Sequence, residues 1–287
     1  MTETTQKIVA FVDGSTYSES VCHYAAWIAQ RTGAAVELIH VLGQRDTSGK
    51  SDHSGTIALG ARTALLEELA ELDAQRSRLM SHKGRAILDD ARAILDKDSV
   101  TAINTRLRHG GVVEAVAEVE GDARVIIVGK RGEDADFAKG HLGSNLERIV
   151  RTSTRPVFVA SRAFNQISKV LVAYDGGASA MKAVDLIASS PLFQGLEVHV
   201  VTVGSPTTEV EKGLDDAKAM LKAAGLVAQT AVLSGQPEKA LADLIETEGF
   251  DMLVMGAYGH SRIRSLVIGS TTTAMIRACK VPVVLMR

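Results

Sequence analysis

Cysteine is scarce in this 287-residue chain: only Cys22 and Cys279 occur, each inside a helical pattern. A disulfide framework and a CxxC metal site are thereby excluded, and both thiols read as small buried hydrophobes. Net charge is also nearly absent, with 32 Lys and Arg against 34 Asp and Glu, a formal balance of -2. That balance argues against nucleic acid or an anionic membrane as partner. No apolar run approaches the roughly 18 residues of a membrane span. The amino terminus "MTETTQKIVAFVDGS" has no basic stretch followed by an apolar core, so the expected location is the cytoplasm. Walker "GxxxxGK[ST]" and Rossmann "GxGxxG" motifs are missing, as are a nucleophile elbow and a Ser-His-Asp order. The eight histidines, at 23, 40, 53, 82, 109, 141, 199 and 260, lack metal-ligand spacing, and no metal site is expected. His40 and His199, in strand-like sequence, read as sheet packing.

What is present is a repeat. The length suits two domains of about 130 to 160 residues. "KIVAFVDGSTYSESV" (7–21) answers "KVLVAYDGGASAMKAV" (169–184), aligning Asp13 with Asp175. "ARVIIVGKRG" (123–132) answers "FDMLVMGAYG" (250–259), and "GSNLERIVRTSTRPVFVA" (143–160) answers "GSTTTAMIRACKVPVVLM" (269–286). The chain reads as one domain duplicated, with domains expected at 1–163 and 164–287. Asp175 minus Asp13 gives an offset of 162 and Gly256 minus Gly129 gives 127, so the first copy carries 35 extra residues.

Short Val- and Ile-rich runs alternate with amphipathic stretches in both copies, the βαβ pattern of a parallel sheet covered on both faces. Strands are expected near 7–12, 35–41, 101–107, 124–128 and 156–160, then 168–174, 196–203, 227–233, 251–255 and 282–286. The fold class is therefore α/β: two tandem doubly wound domains, each with five parallel strands and helices on both faces. Gly33 and Gly225 are expected to stop helices, and Pro237 to open one. The extra residues fall in a Ser/Gly/Asp-rich stretch and a helical one, together about 44–82. From about Ile57 the spacing Leu65, Leu69, Leu72, Leu79 is helical and continues through Ile87, Ala91, Ile94 and Leu95. A lengthened helix packed on its own or a partner domain is the expected form.

In an open parallel sheet, ligands bind beyond the carboxyl ends of the strands where strand order reverses. Asp13-Gly14-Ser15 and Asp175-Gly176-Gly177 follow the first strands. Such an Asp can accept from an adenine amino group or a ribose hydroxyl, or can cap the next helix, and both readings stay open. After the fourth strand of the second copy come Gly256, Gly259 and then Gly269-Ser270 at a helix start, where orphan N–H groups and the helix dipole favour anions. His260, Arg262 and Arg264 lie between, and this loop carries no carboxylate.

The spacing G-2x-G-9x-G-S after an apolar strand, with an upstream strand ending in Asp, resembles the ATP-binding signature of the universal stress protein family. The resemblance covers essentially the whole chain, twice. It implies strand order 3-2-1-4-5, an adenine-nucleotide site, and dimerisation through the fifth strands, here "PVFVA" and "PVVLM" pairing within one chain, with a homodimer also open. Adenine and ribose contacts carry onto Ala173, Asp175 and Val203. Phosphate and ribose contacts carry onto Met255, Gly256, Gly259, Gly269, Ser270 and Thr271, with His260 and Arg262 beside them. The first-copy counterparts are Asp13, Val41, Gly129, Gly132, Gly143 and Ser144.

The first copy departs from the pattern. Its second interval is ten residues, and Glu133, Asp134 and Asp136 offset Lys130, Arg131 and Lys139. "SNLE" (144–147) reads as a capping box, with a carboxylate already beside the helix start. Triphosphate is expected to be repelled there, the alternative being an acidic loop that helps hold magnesium. The expectation is a regulatory, stress-response module binding ATP, or ADP or AMP, with or without magnesium, mainly in the second domain, and with little or no hydrolysis. A nucleotide-independent scaffold for an unknown protein partner and a slow ATPase or phosphotransferase using His260 are the alternatives.

Overall fold

The structure, a computed structural model, describes residues 6–43, 59–130, 144–257 and 269–287. The first half runs β1 (Lys7–Phe11), α1 (Ser18–Thr32), β2 (Val36–Leu42), α2 (Leu59–Lys97), β3 (Ile103–His109), α3 (Val112–Val119), β4 (Ala123–Gly129), α4 (Ser144–Thr152) and β5 (Val157–Ala160). The second runs β6 (Lys169–Ala173), α5 (Ala178–Ser189), β7 (Glu197–Val203), α6 (Thr208–Ala223), β8 (Ala228–Leu233), α7 (Pro237–Glu248), β9 (Met252–Gly256), α8 (Ser270–Ala278) and β10 (Val283–Met286). All ten strands lie within two residues of the runs expected from apolar composition. Gly33 caps α1 with φ 69°, a left-handed backbone that glycine adopts without penalty, and Pro237 opens α7.

Strand order in the first half is β3-β2-β1-β4-β5, and the second half continues as β10-β9-β6-β7-β8. Within each half every pairing is parallel. The halves are joined by β5 and β10, which run antiparallel with Val157 opposite Leu285 and Val159 opposite Val283. Two five-stranded sheets thus become one sheet of ten strands, and two apolar edges disappear. Of the two edges that remain, β3 carries Arg106 and Arg108, the kind of charge that blunts edge-to-edge association.

Alternation along the strands divides the core into two layers. Ile8 and Ala10 face one layer with α1, α2, α5 and α6, while Val9 and Phe11 face the other with α3, α4, α7 and α8. Each layer is continuous across the junction. Polar ties reinforce it: Lys130 Nζ donates to the carbonyl oxygens of Arg277 and Cys279, each at 2.9 Å, at the end of α8. Arg287 reciprocates, donating to the Thr152 carbonyl at the end of α4, 3.1 Å away.

Helix α2 has two parts with different surroundings. Leu88, Ala91 and Leu95 are buried in the core, whereas residues 65–80 are all exposed. Of the two expected forms, packing on its own or a partner domain, the first describes the carboxyl-terminal part of the helix. Apolar periodicity identifies a face, but not what covers it.

Candidate functional site

Because the halves meet through antiparallel strands, the carboxyl ends of β1 and β4 lie at one margin of the sheet and those of β6 and β9 at the opposite one. In the second half, β6 ends at Ala173, half-buried, followed by Tyr174, buried, and Asp175, exposed. The Asp175 Oδ1 accepts from the Gly177 N–H at 2.8 Å, a turn that opens α5. Asp13 does the same in the first half, accepting from the Ser15 N–H at 2.9 Å and from the Ser18 hydroxyl at 3.2 Å. Both aspartates thus shape the turn that leads into the next helix, and neither is its N-cap, since the N-caps of α1 and α5 are Tyr17 and Gly177, without a side-chain cap. Gly14 and Gly176, next in each chain segment, have φ of 79° and 76°, so this turn needs glycine in both copies.

Strand β9 ends with Met255 buried and Gly256 half-buried, beside Ala173 of β6, and Val203 ends β7 on the other side of β6. A Cβ on Gly256 would lie 2.5 Å from Ser179 Oγ, 3.0 Å from Ser179 Cβ and 3.3 Å from the Ala180 backbone nitrogen. This glycine is required by the first turn of α5. The segment from Tyr258 to Ile268 lies outside the described residues, and with it Gly259, His260 and Arg262. Its two ends are held together: the Gly269 N–H donates to the Ala257 carbonyl at 3.3 Å, and the Thr272 hydroxyl to the carbonyls of Gly256 and Ala257.

Helix α8 starts at Ser270, exposed, and Thr271, half-buried. Gly269 is its N-cap, with no side-chain cap and no acidic residue in the first turn. Uncapped first-turn amides at the positive end of a helix dipole are suited to an anion. In the first half, α4 begins at Ser144 and already has Glu147 in its first turn. Gly132 and Gly143 lie outside the described residues; Gly129 ends β4 and Val41 is half-buried near the end of β2. Lys130, counted from sequence with the first-copy loop charges, instead reaches across the junction to α8.

Three residues that shape the margin are not obvious from the glycine motif. The buried trio Leu88, Ala91, Leu95 of α2 repeats in α6 as Leu214, Ala217, Leu221, each 126 residues later. The same offset sets Ile87 against Gly213. Ile87 Cδ1 lies 3.0 Å from where a Cβ on Gly14 would stand, so the first half has an isoleucine over its β1 turn. In the second half Gly213 leaves that space, and Tyr174, at the position of Val12, fills part of it: a Cβ on Gly213 would meet the ring at 3.2 Å. Burial raises the Tyr174 phenol above its ordinary pKa, with Asp216 and Asp175 adding to it, and its hydroxyl donates to Met181 Sδ at 3.0 Å.

His40 Nδ1 lies 2.7 Å from the Val12 carbonyl oxygen, and Thr202 makes the matching bond to the Tyr174 carbonyl at 2.8 Å. His199 pairs with Glu197 and packs edge-on against Phe250. Among the described residues no group of three His, Cys, Asp or Glu is placed to hold a metal, and no helix is long and apolar enough to cross a membrane.

These features define a tandem α/β protein: two doubly wound units of strand order 3-2-1-4-5, fused through their fifth strands, each presenting a turn-and-helix margin at strands one and four. The sequence profile of the universal stress protein family matches residues 4–161 and again 166–287, and the chain belongs to that family. It is 36% identical over 286 residues to the universal stress protein Slr1230 of Synechocystis, covering 98% of this chain and all of that one. A crystal structure of a universal stress protein from Archaeoglobus fulgidus shares the fold, with a TM-score of 0.71 at 20% identity over 99% of this chain and 98% of its own. A universal stress protein solved in complex with cAMP matches 43% of this chain and 98% of its own at 27% identity, with a TM-score of 0.37.

Proposed function

We propose that the second half binds an adenine nucleotide, ATP or its ADP or AMP relatives, and that the chain acts as a cytoplasmic regulatory module with little or no hydrolysis. The observation that carries this reading is the opening of α8, an uncapped helix start without a carboxylate in its first turn, tied to the end of β9. Ser270, Thr271 and Gly269 offer donors to phosphate there, together with Gly259, His260 and Arg262 of the connecting loop. Ala173, Asp175, Val203 and Met255 border the base and ribose.

The first half is the weaker site. Ile87 covers its β1 turn, Glu147 stands in the first turn of α4, and Lys130 is engaged at α8. Of the loop charges, Glu133, Asp134 and Asp136 then outnumber Arg131 and Lys139. Titrating ATP calorimetrically into the wild type and a Gly259→Val/Ser270→Ala variant tests the reading. Binding by the wild type and its loss in the variant support it; equal affinities contradict it, and absence of binding by both favours a nucleotide-independent scaffold.

A further inference from the structure

Matching α6 to α2 by the shared buried trio places the start of α6, Thr208, at residue 82. Residues 59–81 of α2 are therefore additional, an extension of about 35 Å at 1.5 Å per residue. Its residues 65–80 are exposed without exception. Six of the seven large hydrophobic side chains exposed among the described residues lie on it: Leu65, Leu66, Leu69, Leu72, Leu79 and Met80. Leu65, Leu69, Leu72 and Leu79 fall at helical spacing on one face, with Arg76 between the last two. An apolar stripe of this kind on a protruding helix needs a cover, and an isolated helix gains little stability in water from propensity alone.

The charges say what covers it. Leu65 and Leu79 each lie seven residues from Leu72, and Glu68 and Arg76 each lie four from it. Glu67, Glu68 and Glu71 precede Leu72, while Arg76 and Arg78 follow; Arg62 before it and Asp73 after it are the exceptions. We propose that this extension pairs antiparallel with the same helix of a second copy of the chain, about a two-fold axis beside Leu72. Leucine then meets leucine at both ends of the contact, and Arg76 meets Glu68 of the other copy twice. A parallel pair would set Arg76 against Arg76 and Glu68 against Glu68. One charged residue within an apolar seam fixes register and direction, at some cost in stability. The contact is isologous, so it closes on itself as a dimer, and it uses none of the residues of the β5–β10 junction.

Sedimentation equilibrium on the full chain tests this. The wild type is expected at twice the chain mass of 30.4 kDa. Leu72→Asp, at an exposed position, is expected at the single-chain mass with slow hydrogen exchange of the sheet amides retained. Arg76→Glu and Glu68→Lys alone should each weaken the dimer roughly tenfold, and the Glu68→Lys/Arg76→Glu double variant should recover wild-type affinity. A monomeric wild type overturns the proposal, whether or not it then co-sediments with anionic phospholipid vesicles. So does a Leu72→Asp protein that keeps the dimer mass, and charge swaps without rescue overturn the antiparallel arrangement.

Discussion

Ile87 stands over Gly14, its Cδ1 3.0 Å from where a Cβ on that glycine would be, while the matching position of the second half is Gly213 beside Tyr174. The two halves solve one packing problem with opposite partners, a large helix residue over a glycine of the turn in one and a large residue after the strand against a helix glycine in the other. Gly213→Ile is therefore expected to destabilise the protein by about 1–3 kcal/mol through overpacking against Tyr174. Gly213→Ile/Tyr174→Val, which copies the first half, should recover most of that in urea unfolding and bind nucleotide more weakly than wild type. Strict additivity of the two changes would show that the residues do not compensate.

Gly256→Ala tests whether that glycine serves the fold. The added Cβ would meet Ser179 and the Ala180 backbone, so a loss of about 1–3 kcal/mol is expected in denaturant unfolding. Ser179→Ala in the same chain should restore only part, because the Ser179 Cβ and the backbone contact remain. An unchanged unfolding midpoint would mean that α5 yields freely.

Lys130 ties the first half to the end of α8, a position where a cation also complements the helix dipole. Lys130→Ala should cost about 1–2 kcal/mol in chemical unfolding, whereas Lys130→Arg should cost less. A stability unaffected by Lys130→Ala would remove this residue from the junction.

Burial, followed by the carboxylates of Asp98 and Glu19, pushes the Cys22 thiol from 9.0 up to about 12. Burial likewise pushes Cys279 up to about 11, against an opposing effect of Lys130. Neither thiol should react with a thiol reagent at neutral pH until the chain unfolds. The native state holds these protons more tightly than the unfolded chain does. Their contribution is thus complete below about pH 9 and is lost as pH rises through about 11 to 12. Cys22→Ala should flatten the alkaline decline in stability without abolishing it, since Cys279 titrates in the same direction. Rapid labelling of the native protein would contradict this.

Much of the fold was legible because buried parallel strands must be apolar runs, and ten such runs recur in order across the two copies. The junction was legible through the family resemblance, which implies pairing of the fifth strands, "PVFVA" and "PVVLM". The margin was less so. The glycines pointed to the ends of β4 and β9, yet Gly256 is held by packing on Ser179, and Asp13 and Asp175 form turns, roles that a spacing motif does not separate from ligand contact. Ile87 and Gly213 escaped notice because the 35 extra residues break the repeat just before them. Only the strand register and the buried trio restore the alignment. The leucines of α2 gave the right element and left its surroundings open, since periodicity is the same whether the covering surface belongs to its own chain or to another.

Native mass spectrometry of the chain with ATP tests the asymmetry of the two halves most directly. One nucleotide per chain is predicted, lost in Ser270→Asp, which places a carboxylate at the start of α8, and kept in Ser144→Asp. Two equivalent nucleotides per chain, or one that survives Ser270→Asp and disappears with Ser144→Asp, would contradict it.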